Sequence, residues 1–111
     1  MKRFTLLEGP DFGRQAKRLN KKYASFSRDL LDLIEILRVT PQQGTRLGRD
    51  CYKIRLAIAS KNKGKSGGAR VVTCVKVIGQ TVYLLTIFDK ADRENLAEGE
   101  LDALLAEAGL G

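Results

Sequence analysis

Histidine is absent from this 111-residue chain, tryptophan is absent, and there are only two cysteines, two prolines and seven aromatic residues. Each shortage excludes something. Without histidine no Ser-His-Asp or Cys-His catalytic site can form, and two cysteines alone cannot assemble an ordinary zinc centre. No apolar run approaches the ~20 residues that span a bilayer, and Met1-Lys2-Arg3-Phe4 is not followed by the apolar core of an export signal. The expectation is a cytoplasmic protein with reduced thiols and no membrane partner. Cys51 and Cys74 are expected to lie near each other without forming a disulfide. The length suits one domain, residues 1–111, with a single core and no linker.

What is abundant is positive charge, unevenly placed. Twenty Lys and Arg face 13 Asp and Glu, for +7. Residues 38–76 carry ten basic side chains and one acidic, whereas residues 89–111 carry two basic and seven acidic. A solvated surface mixes the signs; a nearly pure cationic centre attracts polyanions, of which nucleic acid is the commonest in a cytoplasm.

Periodicity sets the element order. Met1 to Leu7 reads as a short strand, and Gly9-Pro10-Asp11 starts a helix. Phe12, Ala16, Leu19 and Tyr23 form its apolar stripe, with Arg14, Lys17, Arg18, Lys21 and Lys22 outside. Ser25 or Ser27 caps a second helix with the stripe Phe26, Leu30, Leu33, Ile34, Leu37, ended by Pro41 and Gly44. From Cys51 the period becomes two: Tyr52, Ile54, Leu56 and Ile58 alternate with Cys51, Lys53, Arg55 and Ala57. Residues 60–68 read as a loop, Arg70 to Ile78 as a strand, Gly79-Gln80 as a type II′ turn and Thr81 to Phe88 as the returning strand. Asn95 and Glu98 have capping-box spacing ahead of a last helix bearing Leu101, Leu104 and Leu105. The order β-α-α-β-β-β-α predicts an α+β fold, with helices, the hairpin among them, on one face of a mainly antiparallel sheet.

Register is also predictable. If the second and third strands pair with an odd number sum, Lys53, Arg55, Arg70 and Lys76 share one face, while Tyr52, Ile54, Leu56 and Ile58 join Val71, Val75 and Val77 beneath the helices. An even sum would bury Arg70 among apolar residues, a costly place for an unpaired charge. The odd register is expected, giving an exposed cationic face beside a Lys/Gly-rich loop.

The strand Arg49-Asp50-Cys51-Tyr52-Lys53-Ile54-Arg55-Leu56, the turn Gly64-Lys65-Ser66-Gly67-Gly68-Ala69-Arg70-Val71, the pair Ile87-Phe88-Asp89-Lys90 and the segment Glu94-Asn95-Leu96 resemble the RelE/HigB toxins of bacterial toxin–antitoxin pairs. The resemblance covers nearly the whole chain in the same element order. It implies a ribosome-dependent endoribonuclease that cuts mRNA without metal or cofactor, the ribose 2′-OH attacking the adjacent phosphate. Fixed cations stabilise the charge that develops in such a step. On the family's pattern Lys53 matches the candidate base, Arg55 a second basic position of the active strand, Arg70 the phosphate-holding arginine, and Lys90 a position beside another basic one. Some members carry an arginine where this chain has Ala91, a later catalytic tyrosine, or a histidine; none is present, so Lys90, Arg93 or ribosomal groups are left to protonate the leaving group.

Lys61, Lys63 and Lys65 are expected to reach RNA phosphates from the loop, and Arg14, Lys17 and Lys21 to dock ribosomal RNA. Gly64-Lys65-Ser66 is not a nucleotide-binding loop, because Ala59 stands where the first glycine would be and a strand follows. The implied partners are mRNA, the ribosome and a cognate antitoxin with an acidic arm, operator DNA being reached only through the antitoxin complex. A gyrase poison of the ParE type and an inactive repressor of its own operon are the alternatives; the cationic cluster argues against the first, and Ala91 with the missing tyrosine keeps the second open.

Overall fold

The computed structural model describes residues 3–111; Met1 and Lys2, part of the expected first strand, lie outside the described residues. Strand β1 (Thr5–Glu8) leads into helices α1 (Pro10–Lys22) and α2 (Phe26–Val39), joined by Tyr23, Ala24 and Ser25. Strands β2 (Thr45–Gly48) and β3 (Cys51–Leu56) follow, then a 3-10 turn at Ala59–Lys61 and the one-turn helix α3 (Gly64–Gly67). Strands β4 (Ala69–Lys76) and β5 (Thr81–Asp89) and helix α4 (Glu100–Glu107) complete the fold. The five strands lie in the order β1-β5-β4-β3-β2; β1 and β5 are parallel and the other pairs antiparallel.

The local causes are mostly those expected. Pro10 occupies the first turn of α1, where its missing N–H is not needed. Phe12, Leu19, Phe26, Leu33 and Leu37 sink into one apolar cluster with Tyr52, Ile54, Leu56, Ile58, Val71, Val75, Val82, Leu84 and Ile87. The β3–β4 register is odd, with Cys51 opposite Cys74, Ile54 opposite Val71 and Arg55 opposite Arg70. Leu84 and Ile87 reach the same cluster, despite their odd separation, through a bulge: Thr73 pairs with Leu84 while Val72 pairs with Thr86, leaving Leu85 as the extra residue.

Several expectations are corrected. The last helix does not join the other two on one face: α4 covers the opposite side, where Leu104 and Leu105 pack on Cys51, Val72, Cys74, Leu85 and Phe88. It begins at Glu100, not at Asn95, and the Glu100 carboxylate accepts the Ala97 N–H at 2.8 Å in place of an Asn95 cap. Ser25 sits at the cap position of α2, but its hydroxyl donates to Asp29 instead of capping the helix. Residues 77–80 form a four-residue loop, so Val77 stands exposed instead of under the helices, and the residue with positive φ is Gln80. Strand β2 is additional, joined to β3 through Arg49 and Asp50, both with positive φ.

Candidate active site

The sheet face turned away from α1 and α2 carries Lys53, Arg55 and Arg70. Strand alternation puts Lys53 and Arg55 on one side of β3, and the register sets Arg55 directly against Arg70 on β4. Like charges directly opposite repel, so a counter-charge is needed, and residue 94 supplies it. The Arg70 guanidinium donates from Nε to Glu94 Oε2 at 2.5 Å and from Nη2 to Glu94 Oε1 at 3.1 Å. Its remaining hydrogens go to backbone carbonyls: Nη1 to Lys65 (3.2 Å) and Ala69 (3.1 Å), Nη2 to Ser66 (3.0 Å). All five N–H donors of an arginine are thereby used.

That satisfaction explains a difference from the sequence expectation. Arg70 is not an exposed cation but a buried one, its side chain 1% accessible, on the expected face yet roofed by the chain that follows β5. Lys53 is similarly covered: its ammonium donates to the Glu94 carbonyl at 3.2 Å and to the Asn95 side-chain oxygen, and lies 3.9 Å from the Glu94 carboxylate. Arg55 remains exposed. Half-buried Lys90 donates its backbone N–H to the Gly68 carbonyl at 3.0 Å. Arg70 hydrogen-bonding, opposed by partial burial, and the charges of Arg70, Lys53 and Lys90 hold the Glu94 carboxyl below its ordinary range.

The loop that feeds carbonyls to Arg70 is itself fastened. Gly68 admits no side chain, since a Cβ there would stand 1.9 Å from the Leu56 carbonyl. Lys61 lies beneath the loop, donating to Gly68 O at 3.1 Å and to the buried Asp89 carboxylate at 2.6 Å. Tyr23 donates its hydroxyl to the same carboxylate at 2.5 Å, and the Ala91 N–H does so at 2.9 Å. Burial works to raise the Asp89 pKa, but the bonds from Lys61, Tyr23 and the Ala91 N–H outweigh it and hold that carboxyl far below the usual range. Lys61, expected on an open loop, therefore occupies a packed ion pair with its side chain 7% accessible. The reason is a carboxylate remote in sequence. Lys63 and Lys65 are exposed as expected.

The remaining expected positions lie apart from this constellation. Lys17 and Lys21 are exposed on α1, in the helical layer on the other side of the sheet. Arg14 is tied to Asp11 at 3.2 Å and to Glu107 of α4 at 3.4 Å. Lys76 shares the parity of Arg70 but lies at the far end of β4, 3.3 Å from Asp50. Arg93 pairs with Glu100 at 2.6 and 2.8 Å and stacks over Phe88. Sequence reasoning missed Glu94, Asn95 and Asp89 as members of the constellation. The available signal was their position immediately after the last strand, as polar residues where the basic strands needed counter-charge.

The geometry therefore provides a fixed guanidinium and a half-covered ammonium on one anionic group, with the exposed Arg55 opposite Arg70 on the same face, an arrangement suited to an oxyanion of phosphate type. No curated protein matches the chain closely. Among solved structures it is similar to the free state of the E. coli toxin RelE in a double arginine-to-alanine mutant, with a TM-score of 0.54 and 19% identity over 96% of this chain and 95% of that one. A family model described as the RelE toxin of the RelE/RelB toxin–antitoxin system matches residues 13–110. With nearly all of its length accounted for by that match, the chain belongs to the RelE toxin family.

Proposed function

We propose that this toxin is a ribosome-dependent mRNA endoribonuclease acting without a metal, and that Lys53, Arg55, Arg70 and Lys90 surround the reacting phosphate. The observation that carries the proposal is the pairing of Arg55 with Arg70 across β3 and β4, with Lys53 on the same side of β3. In the reaction the ribose 2′-oxygen attacks the adjacent phosphorus, its proton passing to Lys53 as the base. The 5′-oxygen of the next nucleotide departs and takes up a proton, from Lys90 or from a ribosomal group, leaving a 2′,3′-cyclic phosphate. The pentacoordinate transition state carries extra negative charge, and rigid donors aimed at it lower the barrier without reorganising. Arg70 suits this role because its position is fixed by three backbone carbonyls.

Exposed Lys63 and Lys65 flank this side and are assigned to phosphate contacts; Arg14, Lys17 and Lys21 belong to the helical layer and would meet ribosomal RNA elsewhere. The implied antitoxin would mask the cationic side with acidic residues, so raised ionic strength should weaken its complex. The direct test is 5′-end mapping of mRNA in a translating extract. Wild type should give discrete ends and Arg70→Ala should lose them by about 100-fold or more, as when a preorganised donor to a transition-state charge is removed. Intact mRNA beside arrested supercoiling would indicate the gyrase-poison alternative, and unchanged cleavage by Arg70→Ala would remove Arg70 from the site.

A further inference from the structure

The fork of Arg70 that would grip a phosphate, Nε with Nη2, is the edge that Glu94 occupies. The other edge, Nη1, is given to the backbone carbonyls of Lys65 and Ala69. The two partners also differ in accessibility: Arg70 is 1% exposed, and the Glu94 side chain is 38% exposed. The arginine is thus the fixed member and the glutamate the removable one, on the solvent side. Asn95, next in the chain, holds Lys53, the other cation of the set. The segment carrying both has no regular structure and is tethered on either side, by Leu96 in the second apolar cluster and by the Arg93–Glu100 pair.

We propose that the Glu94–Asn95 segment is a built-in occupant of the phosphate site, Glu94 standing on Arg70 in place of a phosphate oxyanion and Asn95 holding Lys53, so that the free toxin is closed to RNA. The inference rests on the functional assignment above and adds regulation to it. A carboxylate and a phosphate both offer two oxygens to a guanidinium fork. A buried guanidinium without an anion is costly, so the site favours exchange of one anion for another over vacancy. An entering phosphodiester must displace Glu94, and affinity in the free protein is lowered by the fraction of molecules that are closed.

The test uses the full chain and a short RNA with 2′-O-methyl groups, which binds but cannot attack its own phosphate. Binding is read by fluorescence anisotropy. Glu94→Gln should bind about tenfold more tightly than wild type, Glu98→Gln, which removes the same charge from an exposed neighbour, should change affinity less than twofold, and Arg70→Ala added to Glu94→Gln should abolish the gain. Equal affinities for wild type and folded Glu94→Gln, or equal gains in Glu94→Gln and Glu98→Gln, would overturn the proposal. Should Glu94→Gln not fold, wild type decides alone: at saturation the Glu94 side-chain carboxyl carbon resonance should move to its solvent value, and an unmoved resonance overturns the closure. The extract assay separates the two assignments. Wild type that cleaves no mRNA while Glu94→Gln gains affinity leaves the closure standing and removes the nuclease; cleavage with no gain does the reverse.

Discussion

Asp89 joins more of the molecule than any other single carboxylate: it receives Lys61, Tyr23, Lys22 and the Ala91 N–H, and it is 3% exposed. Because Lys61 also reaches Gly68, Asp89 indirectly steadies the carbonyls behind Arg70. Replacing it with Asn would leave Lys61 as a buried charge without its counter-ion, and Asp89→Asn is expected to cost about 3–5 kcal/mol in urea unfolding at pH 7. The sign of the pH dependence follows from its lowered pKa. The unfolded carboxyl takes up its proton near pH 4, the folded one only at lower pH, so the stabilisation is present above that point and drains away as the solution is acidified below it. Wild type should therefore lose more stability between pH 5 and 3 than Asp89→Asn does. The pair was not legible beforehand. A lysine in a Gly-rich stretch reads as solvated, and nothing local to Lys61 announces a carboxylate on β5.

At the scale of elements, legibility tracked how much apolar alternation each segment carries. Tyr52, Ile54 and Leu56 make β3 unmistakable, and the cost of burying an unpaired Arg70 selects its register. Strand β2 has a single apolar residue, Leu47, and a turn of Arg49 and Asp50 where Gly or Asn is usual, so it leaves no such mark. Helix α4 starts late because Asn95 is drawn to Lys53, an interaction across space that a capping pattern cannot reveal. The loop between β3 and β4 yields an element-scale prediction. Gly68→Ala would press a methyl group into the Leu56 carbonyl, forcing the loop off β3. About 3 kcal/mol of lost stability is expected, at the upper end for single changes, together with loss of the Arg70 Nε–H resonance from its native position.

For the whole molecule, the charge of +7 is divided by the fold into two surfaces. Arg55, Lys63 and Lys65 accompany the site, while Lys17 and Lys21 stand on the helical layer across the sheet. About four phosphate contacts on the site side would give a log–log slope near −3 for binding of single-stranded RNA against salt. A titration from 50 to 200 mM KCl measures it, and Lys63→Ala with Lys65→Ala should flatten it by about half. The acidic end of the chain turns inward in part: Glu94 meets Arg70 and Asp89 meets Lys61.

The two apolar clusters draw on the chain in a definite order. The first uses residues from both helices of the hairpin and the strands, whereas the second is closed by Leu96, Leu101, Leu104 and Leu105. In the chain those residues follow all five strands. Without that stretch, Val72, Leu85 and Phe88 would lack their cover and Arg70 its carboxylate. The same late stretch of polypeptide thus both shields that greasy, cationic flank from sticking and seats the anion on Arg70.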